Sequence, residues 1–430
     1  MPAPGQSWCV IRAARLLDGA TGAPVENPTV VVHNNIIHGI YQGHVPEGRW
    51  PRDAHVIDLG AQTLLPGLID AHVHLVLPGD GTPFETMVRE PEGVFVAVAA
   101  RNARTALDAG ITTLRDCGGM RQTTFELRRA QHLGYAQLPR LHLCGQPLTI
   151  SGGHCWSFGG EADGPDALRR AVRRLVKSGA DYIKIMATGG GTAGTIMWRP
   201  AYSREELRAA VEEAHRLNRR VGIHSLCGEA TGDALAAETD QIEHAAFLID
   251  AAGHQKFDPA IADRLAAAKM PVTTTLCVGH YLIDALEART DRTPADQALL
   301  DTWRRVFADT LDNGRRLRAA GVSFVAGTDA GWRFTPFNAL VTEMELLREA
   351  GCSAGESIMA ATSAPANAMG IGEETGTLRE GMAADLIAVP GDPLADLEAL
   401  RHPTIVMRQG TLVTGGSSRR TPGVVPTRSG

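Results

Sequence analysis

The stretch LLPGLIDAHVHL (64–75) is an apolar run that ends in two histidines separated by one residue. The run predicts a buried β-strand. Because alternate side chains of a strand point to the same face, His72 and His74 project together. Such a pair suits two ligands on one metal ion, the alternative being two ordinary polar residues at a strand end.

Seven more strand-like runs follow this stretch and alternate with helical patterns. They are ITTLRD (111–116), RLHLCG (140–145), DYIKIMAT (181–188), RVGIHS (220–225), QIEHAA (241–246), PVTTTL (271–276) and VSFVAGTD (322–329). Helix signals lie between them, such as Asp166 as an N-cap and Ser203 with Glu206 as a capping box. The pattern predicts an α/β fold, a (β/α)₈ TIM-type barrel. An open doubly wound sheet is the alternative, because the pattern alone does not show closure.

The two ends of the chain differ in texture from this middle. Short β-type runs near the N-terminus, such as TVVVHNNIIHGI (29–40), are matched near the C-terminus by TIVMRQGTLV (404–413). We expect both ends to build one small β-sandwich-like domain, from residues 1–62 and 371–415, beside a barrel of residues 63–370. The last residues, 416–430, are polar and rich in Gly and Pro, so we expect disorder there.

The composition is that of a soluble enzyme, with 44% hydrophobic and 21% charged residues. A net charge of −6 without a basic run argues against a nucleic-acid partner. The chain lacks a secretory pattern and an apolar run of the roughly 18–20 residues that span a bilayer. Seven scattered cysteines without a CxxC pair indicate reduced thiols. We therefore expect a cytoplasmic protein that acts on a small molecule and does not bind membranes.

Three more potential metal ligands lie at the ends of predicted strands. His224 ends RVGIHS, His244 ends the QIEH run, and Asp329 follows the apolar run VSFVAG. In a barrel all these strand ends open onto one face, so the residues would converge there with the first two histidines. A buried carboxylate is costly unless it is paired or bound to a metal, so Asp329 is a ligand, a salt-bridge partner or a helix N-cap.

Lys184 lies between two isoleucines in YIKIMATGG (182–190). A free charge inside such a strand is strongly disfavoured. An ion pair with a carboxylate would compensate it. The alternative is reaction with CO₂ to a carbamate, an anionic oxygen ligand able to bridge two metals.

These residues together resemble the amidohydrolase superfamily, and the resemblance covers nearly the whole chain. Within it, the chain is similar to the branch of metal-dependent prolidases and carboxypeptidase-like and ochratoxin-degrading amidohydrolases. The segments that carry this narrower likeness are YIKIMATGG, SGGHCW (151–156), HSLCGEA (224–230) and QIEHAAF (241–247). Members often assemble, so the resemblance also implies a homo-oligomer.

The resemblance implies two divalent metal ions, usually Zn²⁺. His72, His74 and Asp329 would bind one ion, His224 and His244 the other, and a carbamate on Lys184 would bridge them together with a hydroxide. The implied reaction is hydrolysis of an amide C–N bond in an N-acyl amino acid, a dipeptide or a related amide. Asp329 would be the general base and then acid, and His154 would hydrogen-bond a substrate carbonyl or carboxylate.

The loops suggest the substrate contacts. GGGTAGTIMWRPAY (189–202) contains Tyr202 and Arg199, whose planar guanidinium suits a carboxylate, although a solvated arginine is the alternative. Segment 277–297, with His280 and Tyr281, is a candidate lid, and Trp332 and Arg333 are expected at the pocket mouth. Leu226 stands where members of the prolidase branch often carry tyrosine, which puts a dipeptide-like substrate in doubt.

Other functions stay open. A deaminase or a cyclic-amide hydrolase of the same superfamily is one, although mononuclear deaminases lack the lysine and usually carry a glutamate where this chain has Cys227. Lactone or phosphotriester hydrolysis is another, since the same hydroxide can attack either centre. A non-catalytic scaffold is the third, but such relatives typically lose ligands and all six positions are filled here.

Overall fold

The computed structural model describes residues 7–43, 45 and 48–413. The expected disorder of residues 416–430 therefore lies outside the described part. The N-terminal strands are β1 (Trp8–Arg12), β2 (Arg15–Leu17), β3 (Pro24–Glu26), β4 (Pro28–His33), β5 (Ile36–Gln42), β6 (His55–Asp58) and β7 (Thr63–Pro66). The C-terminal strands are β16 (Leu386–Val389), β17 (Ile405–Arg408) and β18 (Thr411–Leu412).

The middle of the chain alternates strands and helices. Its strands are β8 (Leu68–Val73), β9 (Ile111–Asp116), β10 (Arg140–Leu143), β11 (Tyr182–Met186), β12 (Arg220–Ser225), β13 (Gln241–His244), β14 (Pro271–Thr273) and β15 (Ser323–Val325). Its helices are α1 (Phe84–Met87), α2 (Glu92–Asp108), α3 (Thr123–His132), α4 (Pro165–Ser178), α5 (Arg204–Arg216), α6 (Gly228–Ala236), α7 (Pro259–Ala267), α8 (Cys277–Glu287), α9 (Pro294–Ala319), α10 (Leu340–Glu349), α11 (Ala354–Ala360) and α12 (Ser363–Met369). Each of the eight predicted strand runs contains a strand, but the first run, 64–75, is divided between β7 and β8. β7 belongs to the small six-stranded sheet, and only β8 belongs to the barrel-type arrangement.

The eight parallel strands lie in sequential order in two hydrogen-bonded sheets. One sheet has the order β10-β9-β8 and the other the order β11-β12-β13-β14-β15. Single parallel bridges, Val73 with Ala330 and Leu148 with Ile185, lie at the two seams between these sheets. The arrangement is of the barrel type, but it is two sheets and not one continuous eight-stranded sheet.

Strands from both ends of the chain share a sheet, in the order β18-β17-β16-β7-β2-β3. A second small sheet, β5-β4-β1-β6, packs with it around a separate apolar core. Successive side chains of β16 point to opposite faces of the sheet. Leu386 therefore packs in the small core, and Ile387 packs in the large one. The exact boundaries at residues 62 and 371 stay predictions.

Helix ends follow local rules, with one correction. The predicted capping box of Ser203 and Glu206 begins α5. Asp166, expected as the N-cap of α4, instead lies in its first turn, because Pro165 occupies the first helical position. A proline suits that position, since its missing N–H would have no partner there.

None of the helices among the described residues combines the length and apolar character needed to cross a membrane.

Candidate metal centre and active site

The six predicted ligands line one cavity of about 410 Å³. They come from strands that are far apart in sequence, and the carboxyl ends of parallel strands meet at one face. His72 and His224 lie within strands β8 and β12, and Lys184 lies within β11. The remaining three follow or end strands, and they are His74, His244 and Asp329.

Several nitrogen and oxygen atoms of this cluster lie close to one another. Asp329 Oδ1 lies 3.2 Å from His74 Nε2 and 3.5 Å from His72 Nε2. One ligand atom each from His72, His244 and Asp329 lies within 4.8 Å of the others. The imidazole rings of His224 and His244 are 4.6 Å apart. Histidine nitrogens with a carboxylate oxygen are a donor set that suits Zn²⁺.

Two of these residues adopt a strained backbone. His244 has φ 69° and Asp329 has φ 58°, in the left-handed region that non-glycine residues avoid at a cost of roughly 1–2 kcal/mol. The N–H of Asp329 donates to the carbonyl oxygen of His72 over 2.7 Å, which holds the turn against β8. Strain of this kind gathers at functional sites, where the surrounding structure imposes it.

Asp329 is ionised in this setting. Burial raises its pKa, but the neighbouring His72 and His74 outweigh that effect, and the net result is a pKa of about 2. The carboxylate therefore offers anionic oxygen atoms to the cavity across the whole physiological pH range.

The histidines on the other side of the cavity are neutral. Burial lowers the pKa of His224 and His244 well below the usual range, and their mutual proximity adds to the effect. His224 Nε2 lies 3.0 Å from the carbonyl oxygen of Gly189, which can only accept, so Nδ1 carries the lone pair. His244 Nδ1 faces the hydroxyl of Thr275, which itself donates to a carbonyl. Nε2 of His244 is therefore the nitrogen with a lone pair.

Lys184 contributes a buried amine to this cluster. Its side chain is 0% exposed, and Nζ has no hydrogen-bond partner among the described residues. No carboxylate of the described chain lies within ion-pair distance of it, so the structure does not contain the ion pair that the sequence left open. A buried donor left unsatisfied costs about 1–3 kcal/mol, and more when charged. An amine that becomes a carbamate bound to cations avoids that cost, so the residues present fit a metal centre.

The residues predicted to contact substrate divide into two groups. His154 and Trp332 line the cavity, as does Arg333. Burial lowers the pKa of His154 to about 3, and its Nδ1 lies 2.8 Å from the hydroxyl of Thr192.

The other three predicted contacts lie outside the lining of this cavity, so the structure gives no support to their assignment. Arg199 is exposed at the surface. Tyr202 is buried elsewhere and donates its hydroxyl to the carbonyl oxygen of Ala162 over 2.9 Å. His280 pairs with Asp284 one turn further along α8. Arg199 and Tyr202 both belong to the 189–202 loop, whose shape a sequence pattern does not define.

Sequence reasoning missed part of the cavity wall and a buried pair beneath it. Trp303 and Phe307, on α9, line the cavity beside Leu226. Arg115 and Glu243 lie inside predicted strands, where a charged residue in an apolar run was a visible signal of a special role.

Known proteins resemble the chain over nearly its whole length. The ochratoxinase of Aspergillus niger is 27% identical, over 97% of this chain and 88% of its own. A solved Xaa-Pro dipeptidase with methionine in its active site superimposes with a TM-score of 0.81 at 26% identity, covering 95% of this chain and 100% of that one. A putative prolidase from Bifidobacterium longum gives 0.77 at 29% identity, with 95% of both chains covered.

These neighbours confirm the branch that the sequence motifs indicated, and they support a TIM-barrel-type fold. The model of the amidohydrolase family matches residues 63–413, which include all six predicted ligands. The protein is accordingly a hydrolase that acts on C–N bonds. Because the family match spans most of its length, the chain belongs to the amidohydrolase family.

Proposed function

We propose that the chain cleaves an amide C–N bond with the help of two divalent metal ions, Zn²⁺ being the first choice. His72, His74 and Asp329 would hold one ion, His224 and His244 the other, and Lys184, as a carbamate, would contribute an oxygen to each. The observation that carries the proposal is the buried Lys184 Nζ, which lacks a hydrogen-bond partner among the described residues and lies in the cavity that the five other candidate ligands line.

Such ions, when bound, lower the pKa of water and polarise a carbonyl or phosphoryl oxygen. The protein's own residues would do the rest. The ionised Asp329 would take a proton from the attacking water and return it to the leaving nitrogen. His154, which is neutral and faces the same cavity, would donate a hydrogen bond to the substrate carbonyl or carboxylate.

The cavity favours an amide that has a large apolar part and one carboxylate. Its walls are mostly apolar, formed by side chains that include Met197, Leu226, Leu248, Val278, Trp303 and Phe307. Among the described residues, Arg333 supplies the single guanidinium of the lining, with its Cζ 5.7 Å from the centre of the Trp303 ring. In this proposal Arg333 takes the carboxylate-binding role that the sequence suggested for Arg199. N-acyl amino acids and dipeptides with bulky apolar groups carry both features.

A substrate panel tests this function. We expect purified protein to hydrolyse N-acyl amino acids or dipeptides with aromatic or large aliphatic groups, and to prefer them over the matching neutral amides. Lactones, cyclic amides and phosphotriesters in the same panel represent the other reactions open to such a site. Cleavage of those compounds without cleavage of any linear amide would overturn the proposal.

A further inference from the structure

Buried polar contacts connect Arg115 through Glu243 to His72. His72 Nδ1 lies 2.9 Å from Glu243 Oε2, and Glu243 Oε1 accepts a hydrogen bond of 2.6 Å from Arg115 Nη2. The three side chains are 1%, 0% and 3% exposed, respectively. Burying an ion pair removes both ions from water, and such pairs often add nothing to stability. The pair therefore calls for a role other than holding the fold together.

Arg115 is fixed by two further bonds. Its Nε donates to the carbonyl oxygen of Ala71 and its Nη1 to Gln241 Oε1, each over 2.7 Å. Gln241 in turn donates to the hydroxyl of Thr273 over 2.6 Å. These contacts join β8, β9, β13 and β14, so the guanidinium has a single orientation and holds the Glu243 carboxylate in place.

We propose that Glu243 and Arg115 are positioning residues that keep His72 in the tautomer protonated at Nδ1, with the Nε2 lone pair facing the cavity. The inference rests on the proposed metal-dependent function. A carboxylate that neutralises Arg115 can only accept, so the hydrogen bond to Glu243 requires a proton on Nδ1. Nε2, on the opposite side of the ring, lies 3.5 Å from Asp329 Oδ1.

His72 differs in this respect from the other histidines of the cavity. His224 faces a backbone carbonyl and His244 a threonine hydroxyl, whereas His74 Nδ1 is 3.4 Å from the carbonyl oxygen of Gly118. A carboxylate behind a metal-bound imidazole both orients the ring and raises its basicity. Among these four, the structure thus assigns to His72 the partner best able to strengthen metal binding.

The substitution Glu243→Gln tests the assignment, because an amide has one oxygen where the carboxylate has two. We expect the oxygen of the glutamine amide to face the positively charged Arg115. The amide NH₂ group then faces His72 Nδ1. His72 must then place its proton on Nε2, the nitrogen that faces the cavity. We expect the zinc affinity of the full chain, measured by competition with a chelator, to fall about 10–100-fold. Excess zinc should restore activity, which it would not do for a merely damaged fold.

Glu213→Gln is the matched control. Glu213 is also buried and paired with arginines, Arg173 and Arg216, but it lies on α5 and does not line the cavity. We expect this variant to keep the zinc affinity of the wild type, whatever it loses in thermal stability.

A double substitution serves if Glu243→Gln fails to fold. Arg115→Met with Glu243→Leu removes both buried charges together, a replacement that proteins often tolerate. The same loss of zinc affinity is expected. Either folded variant with wild-type zinc affinity would overturn the positioning role alone. A wild-type chain that binds no zinc would instead overturn the proposed function on which the role rests.

Discussion

At the scale of single residues, Lys184 is the most unusual group in the cavity, because its amine is buried beside neutral histidines. We expect Lys184→Ala to lose metal, chiefly from the site completed by His224 and His244, and to lose activity with it. A short carboxylic acid should restore part of both, since it can supply the missing anionic oxygens. Metal content and turnover with and without the acid are the measurements. Lys177→Ala, at an exposed position of α4, is the control and should change neither.

Asp329 is expected to matter for proton transfer more than for the fold. Asp329→Asn keeps the shape of the side chain but removes its ability to take a proton from water. Turnover should fall by about 10²–10⁴-fold, the usual contribution of general acid–base catalysis. Steady-state kinetics at saturating metal provide the check, and near-wild-type turnover would remove Asp329 from this role.

The sequence predicts the candidate ligands because each is a polar residue within or directly after an apolar strand, where it is visible without a structure. The contact of Arg115 with Glu243 was not predictable in the same way. The two residues are separated by 128 positions, and only the neighbouring strands bring them together. His72, which contacts Glu243, is separated from it by 171 positions.

At the scale of elements, strands were predicted more successfully than loops and the long helix α9. Periodicity identifies a strand and its end, but it does not tell where a loop such as 189–202 lies. The sequence therefore does not show that Arg199 lies outside the cavity lining or that Arg333 is part of it. The contribution of Trp303 and Phe307 could not be read from the sequence either. Their helix packs against α8, and Phe307 closely approaches Gly279, which leaves no room for a larger residue there.

The loop after β15 should therefore control the preference for anionic substrates. We expect Arg333→Met to lower kcat/KM for a carboxylate-bearing amide about 10–100-fold, in line with roughly 1.5–3 kcal/mol for a hydrogen bond to a charged group. The neutral carboxamide counterpart should be affected little. Arg199→Met is the matched control, since this exposed arginine lies outside the cavity lining. A larger effect at Arg199 than at Arg333 would return the role to the 189–202 loop.

At the scale of the whole molecule, the C-terminal strands complete both apolar cores. β16 lies between β17 and β7, and Ile387 packs in the large core beneath the barrel. Ile387→Asp should destabilise the chain by about 3–5 kcal/mol, the cost of an uncompensated buried charge. Val56→Asp, at an exposed position of β6, should stay within about 0.5 kcal/mol of the wild type. Denaturant unfolding of both variants is the measurement. If the two cores form one structural unit, Ile387→Asp should shift a single unfolding transition of the whole chain. If they are independent units, only part of the unfolding signal should shift.

The central claim, a two-metal centre in which all six ligands act, is tested most directly by metal titration of the stripped full-length chain. Hydrolysis of an amide should be absent without metal, rise with added Zn²⁺, and reach its plateau at two ions per chain. Bicarbonate should promote this recovery, because a carbamate on Lys184 would complete the site. Full activity in a preparation free of metal would contradict the account, and a plateau at one ion would contradict the binuclear centre.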